Sequence, residues 1–409
     1  MTIDHRRLGR DLGLFATSAE VGAGLPLWLP DGAVIRGELE AFSLEQALAS
    51  GCRRVYTPVL AKRSLFERSG HWAKFSGEMF PEMPLGGESL VLRPVNCPHH
   101  TQVFAAEGRS YRDLPFRLAE VGSMFRSELS GVVGGLSRVR QINLDDAHSF
   151  CAPDQVADEV ALALRAIRHC YDVLGIDVAY YRLSVRGDSG SYLGDDASWH
   201  RSERYLREAL DELGLPYERV EGEAAIYGPK IDVQVADARG REETLSTVQV
   251  DEQMPGRFGL TYTGDDGARH RPVLVHRGLL SSMERMTALL VELHDGRMPT
   301  WLAPVQVRVL PVADRHADAA GALRDELARA GVRAEVSHDG SLGRRIRDAR
   351  ERRDTYLAVL GDGELASGTV DVTAPATQVR AAPAVAAFVR ELAAEIRERR
   401  RVPAAHAAR

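Results

Sequence analysis

Long apolar runs are absent from this sequence of 409 residues, and no stretch of 18 apolar residues is present that could span a bilayer. Cysteine is scarce as well: four cysteines in so long a chain are typical of a reducing compartment and not of a disulfide framework. The first residues contain no apolar segment of a signal peptide. We therefore expect a cytoplasmic protein that does not contact membranes. A Walker phosphate loop, GxxxxGK(S/T), is missing too, so any bound nucleotide must be held by another architecture.

Lysine is rare, since only Lys62, Lys74 and Lys230 occur, and arginine carries most of the positive charge. Aromatic residues make up only 6% of the chain, but 44% apolar and 27% charged residues form a globular composition that excludes intrinsic disorder. The net charge is −6, of which residues 302–409 contribute +3 and residues 1–301 contribute −9. This asymmetry fits either a C-terminal part that contacts a polyanion or ordinary scatter of surface charge.

A break in periodicity at residues 298–304 divides the chain into two predicted domains, residues 1–301 and residues 302–409. The pattern of residues 1–301 predicts an α+β domain built on an antiparallel sheet, because short β-branched runs lie between amphipathic helices. Its predicted elements are helices over 154–174, 199–213 and 279–293 and strands over 231–235, 247–251, 259–263 and 272–276. The second alternates strands and helices, which predicts a small α/β domain. Its predicted elements are strands over 305–310, 332–336 and 356–360, helices over 317–330, 342–352 and 382–400, and a frayed basic tail over 401–409.

Three candidate metal ligands stand in distinctive surroundings. Cys97 lies in the sequence RPVNCPHH, His148 in DDAH and His276 in VHR. One cysteine with two histidines is a common zinc-binding set, and it leaves a coordination position for water or a substrate. Their wide separation leaves a second interpretation open, in which each is a buried or hydrogen-bonded structural residue. The metal hypothesis requires that the fold bring the three side chains together.

Arginines suited to anionic ligands form two further clusters. Arg126 and Glu128 precede a glycine-rich stretch that leads to Arg138, so a loop between two strands could close over a carboxylate or a phosphate. Arg285 follows two serines near the predicted start of a helix, where the N-terminus favours an anion. Two alternatives stay open, a surface hairpin with solvated charges for the first cluster and an ordinary capped first turn for the second.

These residues resemble the signature motifs of class II aminoacyl-tRNA synthetases. The sequence FRSE at 125–128 with its glycine loop is similar to motif 2, SSMER at 281–285 to motif 3, and VYTP at 55–58 to the motif 1 strand at the dimer interface. Flanking signatures narrow the resemblance to the threonyl-tRNA synthetases: GHW at 70–72, NCPHH at 96–100, DDAH at 145–148, YGPK at 227–230 and PTWLAP at 299–304. The resemblance implies a class II antiparallel-sheet catalytic domain followed by a small α/β domain of the anticodon-binding type.

The resemblance implies that Cys97, His148 and His276 bind one zinc ion per chain. A zinc ion with open positions can take the amino nitrogen and the β-hydroxyl group of threonine, and valine lacks that hydroxyl group. In the family pattern Asp146 accepts the hydroxyl proton, and Tyr227 lines the amino-acid pocket. The activity implied is the ligation of L-threonine to tRNA through threonyl-adenylate, with a homodimer as the working form.

The same resemblance assigns the adenylation step, in which the threonine carboxylate attacks the α-phosphorus of ATP. Arg126 bridges the carboxylate and the α-phosphate, while Glu128 binds the adenine amino group. Arg138 and Arg285 hold the outer phosphates, and Arg285 also stacks on the adenine. Because charge neutralisation and positioning dominate this chemistry, Mg²⁺ is expected to accompany the pyrophosphate.

Three residues of the central strands complete the implied site. Thr247 and Gln249 help to place the nucleotide, and Lys230 supports the amino acid or the tRNA end. The expected catalytic residues are therefore Arg126, Arg285 and Lys230. The expected ligands are ATP, L-threonine and tRNA.

Two departures from the family pattern change what we expect for editing and for anticodon recognition. The resemblance begins at the catalytic domain, so we expect no editing in cis, some serine misacylation and a separate editing partner acting in trans. Residues 373–376 read TAPA and residues 338–341 read HDGS, where many relatives carry polar or basic residues. Since alanine and proline offer no side-chain hydrogen bonds, anticodon readout is expected to be reduced. The arginines at 344–353 either bind phosphates of the RNA or form the solvated face of an amphipathic helix.

Three functions are compatible with these features. The first is a threonine–tRNA ligase, either the housekeeping enzyme or an inhibitor-tolerant auxiliary copy. The second is a synthetase paralogue that passes threonyl-adenylate to a carrier protein or a small molecule. The third is a non-catalytic tRNA-sensing protein, which is disfavoured because every mapped catalytic position holds a competent residue.

Overall fold

The computed structural model describes residues 3–129, 131–188, 192–237 and 240–401. The α-helices are α1 (His5–Asp11), α2 (Pro30–Ala49), α3 (Arg63–Ser69), α4 (His71–Phe75), α5 (Cys97–Ala105), α6 (Val156–Leu174), α7 (Asp196–Glu212), α8 (Gln253–Arg257), α9 (Met283–Leu293), α10 (Ala317–Arg329), α11 (Leu342–Glu351), α12 (Asp362–Ser367) and α13 (Val385–Arg397). Short 3₁₀ helices lie at Ser76–Glu78, Tyr111–Asp113, Pro153–Gln155 and Asp314–His316.

The strands are β1 (Phe15–Ala16), β2 (Leu27–Trp28), β3 (Arg53–Arg54), β4 (Leu60–Lys62), β5 (Met83–Leu85), β6 (Glu88–Leu92), β7 (Phe116–Phe125), β8 (Gln141–Cys151), β9 (Val178–Val185), β10 (Tyr217–Glu221), β11 (Lys230–Ala236), β12 (Glu242–Asp251), β13 (Tyr262–Thr263), β14 (Arg269–His270), β15 (Val273–Gly278), β16 (Val307–Pro311), β17 (Ala334–Val336), β18 (Tyr356–Leu360), β19 (Asp371–Ala374) and β20 (Val379–Ala381).

An eight-stranded sheet organises the larger part of the chain, with the strand order β10–β9–β11–β12–β15–β8–β7–β3. The inner neighbours are antiparallel, and the two outermost pairs, β10/β9 and β3/β7, are parallel. Helices α6, α7 and α9 pack on this sheet and share one apolar core with it. The predicted α+β domain with an antiparallel sheet is confirmed.

Helix α6 shows how the apolar spacing specifies this packing. Val160, Leu164, Ile167 and Tyr171 recur at intervals of three or four residues, and each is at most 1% exposed. Residues at this spacing share one face of a helix, so the face that they form is buried against the sheet. The helix ends at Gly175, whose φ of 73° is a conformation that glycine adopts without strain.

The helix predicted over 279–293 begins four residues later than expected, at Met283. Ser282 is the N-cap residue, and its side-chain hydroxyl oxygen accepts a hydrogen bond from the backbone N–H of Arg285 at 3.0 Å. The backbone N–H groups of Leu279 and Leu280 instead donate to the buried carboxylate of Asp145, each at 3.0 Å. Tertiary hydrogen bonds therefore override the apolar periodicity here, and they place Arg285 in the first helical turn.

A five-stranded sheet organises the C-terminal part, with the order β17–β16–β18–β19–β20. Strands β17, β16 and β18 are parallel, whereas β19 and β20 are antiparallel to their neighbours. Helices α10 and α13 cover a separate apolar core, as predicted for a small α/β domain. The boundary at 301/302 stays a prediction, and Trp301 packs into the first core. Of the tail predicted over 401–409, only Arg401 lies within the described residues. No helix among the described residues has the length and hydropathy needed to cross a membrane.

Candidate active site

Three neighbouring strands and one helix position the candidate metal ligands. His148 lies on β8 directly opposite His276 on β15, and Gln249 on β12 lies opposite His276 on its other side. Cys97 is the first residue of α5, which packs against β8. Because the strands are paired in register, residues far apart in sequence reach one face of the sheet.

The side chains of Cys97, His148 and His276 converge, with one potential ligand atom from each residue within 4.8 Å of the others. Nε2 of His148 faces Nδ1 of His276 at 2.9 Å. The three residues predicted as ligands are therefore brought together, as the metal hypothesis requires. The cluster is buried apart from His276, which keeps intermediate exposure.

The remaining ring nitrogens of both histidines have their own partners. Nε2 of His276 lies 3.3 Å from Oδ2 of Asp251, and Nδ1 of His148 lies 2.8 Å from Nδ1 of His100. His100 in turn lies near Glu120, with Nε2 3.4 Å from the carboxylate. Partners of this kind fix the rings of metal-binding histidines, so that the opposite nitrogen points at the metal.

The electrostatics of the cluster fit a divalent cation. Burial raises the pKa of the Cys97 thiol well above its usual value, and the carboxylates of Asp146 and Asp251 act in the same direction. Burial also lowers the pKa of His148 well below its usual value. The histidine is therefore neutral and able to ligate, while the thiol requires a bound cation to become a thiolate. The donor set of one sulfur and two nitrogens fits zinc.

Asp146 and Tyr227 lie beside this cluster. Oδ1 of Asp146 lies 3.8 Å from Nε2 of His148, and burial raises the pKa of this carboxyl well above its usual value. The ring of Tyr227 lies 5.6 Å from that of His276 and 5.7 Å from that of His71, centroid to centroid. The Tyr227 ring therefore lies between the rings of His276 and His71.

A separate cavity of about 390 Å³ is lined by the three arginines and the glutamate that are expected to bind ATP. Its lining includes Arg126, Glu128, Arg138 and Arg285. The volume lies within the range of about 300–1,000 Å³ that is usual for ligand pockets. Arg126 and Glu128 follow strand β7, Arg138 precedes β8, and Arg285 comes from α9, so the β7–β8 hairpin and the helix enclose the cavity together.

The cavity and the Cys97–His148–His276 cluster lie along the same strand. Every second residue of β8 points to the same face of the sheet, which groups residues 142, 144, 146 and 148. Of these, Leu144 lines the cavity and His148 belongs to the cluster. At about 3.3 Å per residue, Leu144 and His148 are roughly 13 Å apart along the strand. Asp146 lies between them.

Two cavity residues have left-handed backbone conformations that are unfavourable for side chains other than glycine. The φ angle is 40° at Glu128 and 62° at Ser281. Such strain is typical of functional sites, where the surrounding structure maintains it. The carboxylate of Glu128 also accepts a hydrogen bond from Nε of Arg138 at 2.8 Å. The two side chains that are expected to hold opposite ends of ATP therefore pair with each other in this state.

Lys230 and Thr247 are brought together elsewhere and are not among the residues that line the cavity. Nζ of Lys230 donates to both oxygens of Asp232, at 3.0 and 2.8 Å, and the Thr247 hydroxyl donates to the same carboxylate at 3.0 Å. Gln249 differs, since its buried Nε2 has no hydrogen-bond partner among the described residues. Gln249 therefore offers a buried amide donor that no group among the described residues accepts.

A buried hydrogen-bond network next to the Cys97–His148–His276 cluster was not predicted from the sequence. Glu120 accepts hydrogen bonds from Arg93 at 3.0 Å and from the Thr57 hydroxyl at 2.7 Å. Burial alone would raise the pKa of Glu120, but hydrogen bonds from His100, Thr57 and Arg93 lower it to about 2. The signals available in the sequence were the arginine beside NCPHH and the threonine of VYTP. Pairing of β3 with β7 was needed to bring that threonine to Glu120.

Comparison with known proteins identifies two domain families in this chain. Residues 82–294 match the family described as the tRNA synthetase class II core domain (G, H, P, S and T), and residues 306–398 match the anticodon binding domain family. The first match covers more than half of the chain and includes every predicted ligand of the metal and of ATP. The second begins beside β16 and ends just after α13.

Several similar proteins and solved structures are threonine–tRNA ligases or threonyl-tRNA synthetases. The chain is 48% identical to a threonine–tRNA ligase of Halalkalibacterium halodurans and 47% identical to threonine–tRNA ligase 1 of Bacillus subtilis. Both alignments cover 97% of this chain, which spans 62% of the length of these relatives. The crystal structure of an RNA binding domain of threonyl-tRNA synthetase from Cryptosporidium parvum superposes with a TM-score of 0.91, at 33% identity, over 96% of this chain and 98% of that one. The chain belongs to the threonyl-tRNA synthetase family of class II aminoacyl-tRNA synthetases.

Proposed function

We propose that this chain activates L-threonine with ATP and transfers the threonyl group to tRNA. The observation that carries the proposal is the position of two sites along β8, where the Cys97–His148–His276 cluster and the arginine-lined cavity are separated by Asp146. An aminoacyl-adenylate has an amino acid at one end and a nucleotide at the other, and this spacing suits such a molecule. The class II core and the similar relatives support the same proposal.

The amino-acid end of the site selects for a β-hydroxyl group. Cys97, His148 and His276 would hold a zinc ion, which when bound supplies a Lewis-acidic position for the amino and hydroxyl groups of threonine. Asp146 accepts a hydrogen bond from the hydroxyl group, and Tyr227 closes the pocket. Valine would leave the buried Asp146 without a partner, and an unpaired buried polar group is more costly than a missing methylene contact.

The nucleotide end of the site stabilises negative charge. A carboxylate oxygen of threonine attacks the α-phosphorus, and pyrophosphate leaves on the opposite side. Arg126 contacts both reacting groups, while Arg138 and Arg285 neutralise the outer phosphates, which Mg²⁺ accompanies. Glu128 accepts a hydrogen bond from the adenine amino group. Because Glu128 and Arg138 are paired here, ATP must separate them as it binds.

The central strands supply secondary contacts. We assign the free Nε2 donor of Gln249 to the substrate, since it is buried beside His276 without a partner among the described residues. Lys230 and Thr247 act through Asp232, whose carboxylate both contact. Lys230 therefore has its charge balanced by Asp232, and its contribution to catalysis is expected to be smaller than that of Arg126.

The C-terminal part is proposed to bind tRNA mainly through contacts with the phosphate backbone of the RNA. A cavity of about 300 Å³ is lined in part by Arg308, Arg344, Arg345 and Arg352. Arg345 is buried and donates to the carbonyl oxygen of Ser337 at 2.7 Å, so part of this arginine cluster stabilises the fold. Arg308 is buried too and pairs with Asp354 at 2.7 Å and with Glu335 at 2.6 Å. The exposed Arg344 and Arg352 suit phosphates, which position RNA without reading its sequence.

A homodimer in the cytoplasm is part of the proposal. The sheet formed by β4, β6 and β5 exposes apolar side chains, among them Leu85 at 64%, and Tyr56 beside it is 76% exposed. Exposed apolar side chains that are grouped in this way are typical of interaction surfaces. All four cysteines are free and buried, which is compatible with a reducing compartment.

Two assays on the purified 409-residue chain test the proposal. Threonine-dependent exchange of pyrophosphate into ATP measures activation, and charging of tRNA measures transfer. We expect both, with valine giving no exchange above background. Exchange without charging would instead support the paralogue that loads a carrier protein or small molecule, which the alanines and the proline at 374–376 favour. The absence of exchange in a zinc-loaded chain would contradict the proposal.

A further inference from the structure

The N-terminal residues contact the loop that encloses the ATP cavity. We call residues 126–129 and 131–140 the arginine loop and residues 4–24 the N-terminal strap. The backbone N–H of Arg140 donates to the carbonyl oxygen of Gly24 at 2.8 Å, and Nη1 of Arg140 donates to that of Ala23 at 3.2 Å. A second contact, at the other end of the strap, is made by His5.

His5 connects three elements through one buried side chain. Its Nδ1 lies 2.8 Å from Oε1 of Glu292, near the end of α9, and its own backbone N–H donates to the same oxygen at 2.9 Å. Its Nε2 lies 3.2 Å from the backbone nitrogen of Leu136 in the arginine loop. His5 is 7%, Glu292 6% and Leu136 1% exposed, so all three groups are shielded from water.

Only one form of the imidazole satisfies both contacts. The backbone N–H of Leu136 can only donate, so Nε2 of His5 must accept and carries no proton. Nδ1 then carries the proton and donates it to Glu292. The ring is thereby neutral, and the hydrogen-bonding capacity of both its nitrogens is used.

The glycine beside Leu136 shows how closely the loop approaches this ring. A Cβ atom at Gly135 would lie 2.3 Å from Nε2 of His5 and 2.7 Å from Cγ of Arg6, and the φ angle of Gly135 is 53°. The turn is also internally bonded, since the N–H of Gly134 donates to the carbonyl oxygen of Arg138 at 3.0 Å. Anchoring Leu136 therefore anchors the turn from which the Arg138 side chain extends.

We propose that His5 is a positioning residue for ATP: it ties the arginine loop to α9, so that Arg138 and Arg285 keep the separation that the outer phosphates require. The proposal rests on the ATP-binding role assigned above. His5 itself does not line the cavity, so it acts through Leu136 and Glu292.

A pair of substitutions separates the two contacts of the ring. Glutamine places its terminal amide near the position of Nε2, so His5→Gln retains an acceptor for Leu136, and the backbone N–H of residue 5 still donates to Glu292. Asparagine reaches only the position of Nδ1, so His5→Asn retains a donor for Glu292 and leaves the Leu136 N–H unpaired. The exposed Arg10→Ala, on the same helix α1, is the control.

The readouts are the KM for ATP and the KM for threonine in pyrophosphate exchange, together with amide hydrogen exchange of residues 131–140. We expect His5→Asn to raise the KM for ATP about tenfold, which corresponds to about 1.4 kcal/mol, with a smaller change in kcat and no change in the KM for threonine. Amides of the loop should exchange faster. His5→Gln and Arg10→Ala should remain close to the unmodified chain in both measurements.

Equal behaviour of the asparagine and glutamine variants would overturn the proposal, as would an unchanged rate of exchange in the loop of His5→Asn. If the unmodified chain shows no pyrophosphate exchange at all, the proposed function fails. In that case the amide measurement, which needs no activity, still decides whether His5 holds the loop.

Discussion

Cys97 and Cys170 are both buried free thiols, yet their surroundings give them different chemistry. Cys170 lies on α6 in the apolar core, and burial raises the pKa of its thiol to about 12. Cys97 is also desolvated, but its sulfur faces His148 and His276, and both rings are held by outer partners. A thiol in the first setting packs, whereas one in the second can ligate.

Replacement of Cys97 should therefore remove the metal. We expect Cys97→Ala to retain less than a tenth of one zinc equivalent per chain and to lose threonine activation by more than about 100-fold, since even outer partners of a metal ligand are worth 10–100-fold. Elemental analysis and pyrophosphate exchange are the measurements. The matched control, Cys170→Ala, should keep both its metal and its activity. A fully active, metal-replete Cys97→Ala would refute the ligand assignment.

His294, just after α9, gives the protein a pH-dependent stability. Burial lowers the pKa of His294 below its ordinary value of 6.5. The unfolded chain therefore takes up the proton first, and this contribution to the free energy of unfolding is present above pH 6.5 and declines as the pH falls below it. We expect His294→Gln to show a shallower loss of stability between pH 7.5 and 5.5 in urea unfolding. The exposed His200→Gln, on α7, should retain the full slope.

At the scale of elements, the turn between residues 225 and 230 brings a pocket residue to the sheet. Gly228 follows Tyr227, and a Cβ atom at this glycine would lie only 1.9 Å from the carbonyl oxygen of Val250 on β12. Backbone, unlike a flexible side chain, cannot yield at such a distance. The close approach places the Tyr227 ring beside that of His276.

We expect Gly228→Ala to push this turn away from β12. The KM for threonine should rise about tenfold, since overpacking of this kind costs about 1–3 kcal/mol, while the KM for ATP changes little. Steady-state pyrophosphate exchange with each substrate varied provides the test. Gly321→Ala, on α10, meets no atom within 4 Å and should leave both constants unchanged. Equal effects on the two substrates would count against a local role of the turn.

At the scale of the whole molecule, the proposed threonine site would distinguish threonine from serine by one methyl group. Serine offers the same amino and hydroxyl groups to Asp146 and the proposed metal as threonine does. A single methylene or methyl contact is worth about 1–3 kcal/mol, or roughly 10–200-fold. The 409-residue chain alone should therefore form measurable seryl-tRNA. A charging assay that gives only background with serine, while threonine is charged normally, would contradict this.

The assembly is also predicted at this scale. Light scattering should give a mass of twice 44.9 kDa. Leu85→Glu places a charge on the exposed apolar sheet of β4, β6 and β5, so it should shift the mass toward that of one chain. Leu365→Glu, at a site that is 45% exposed on α12, should leave the mass unchanged. A dimer that survives Leu85→Glu would place the interface elsewhere.

The sequence alone determined the two fold classes, the family and the identity of the candidate residues. Local information was sufficient for α6, whose apolar face repeats every three to four residues, and for β18, which was predicted with its observed bounds at 356–360. The motifs around Cys97 and Arg126 could be recognised because each is contiguous along the chain. Such signals need no knowledge of what lies across the sheet.

Only the tertiary structure decided which of these residues meet. The register of β8 with β15 sets His148 opposite His276, and no spacing in the sequence reports that pairing. The late start of α9 depends on Asp145, and the loop contact of His5 joins residues 131 positions apart. Contacts between distant segments are governed by strand pairing and burial, which emerge only when the whole chain packs.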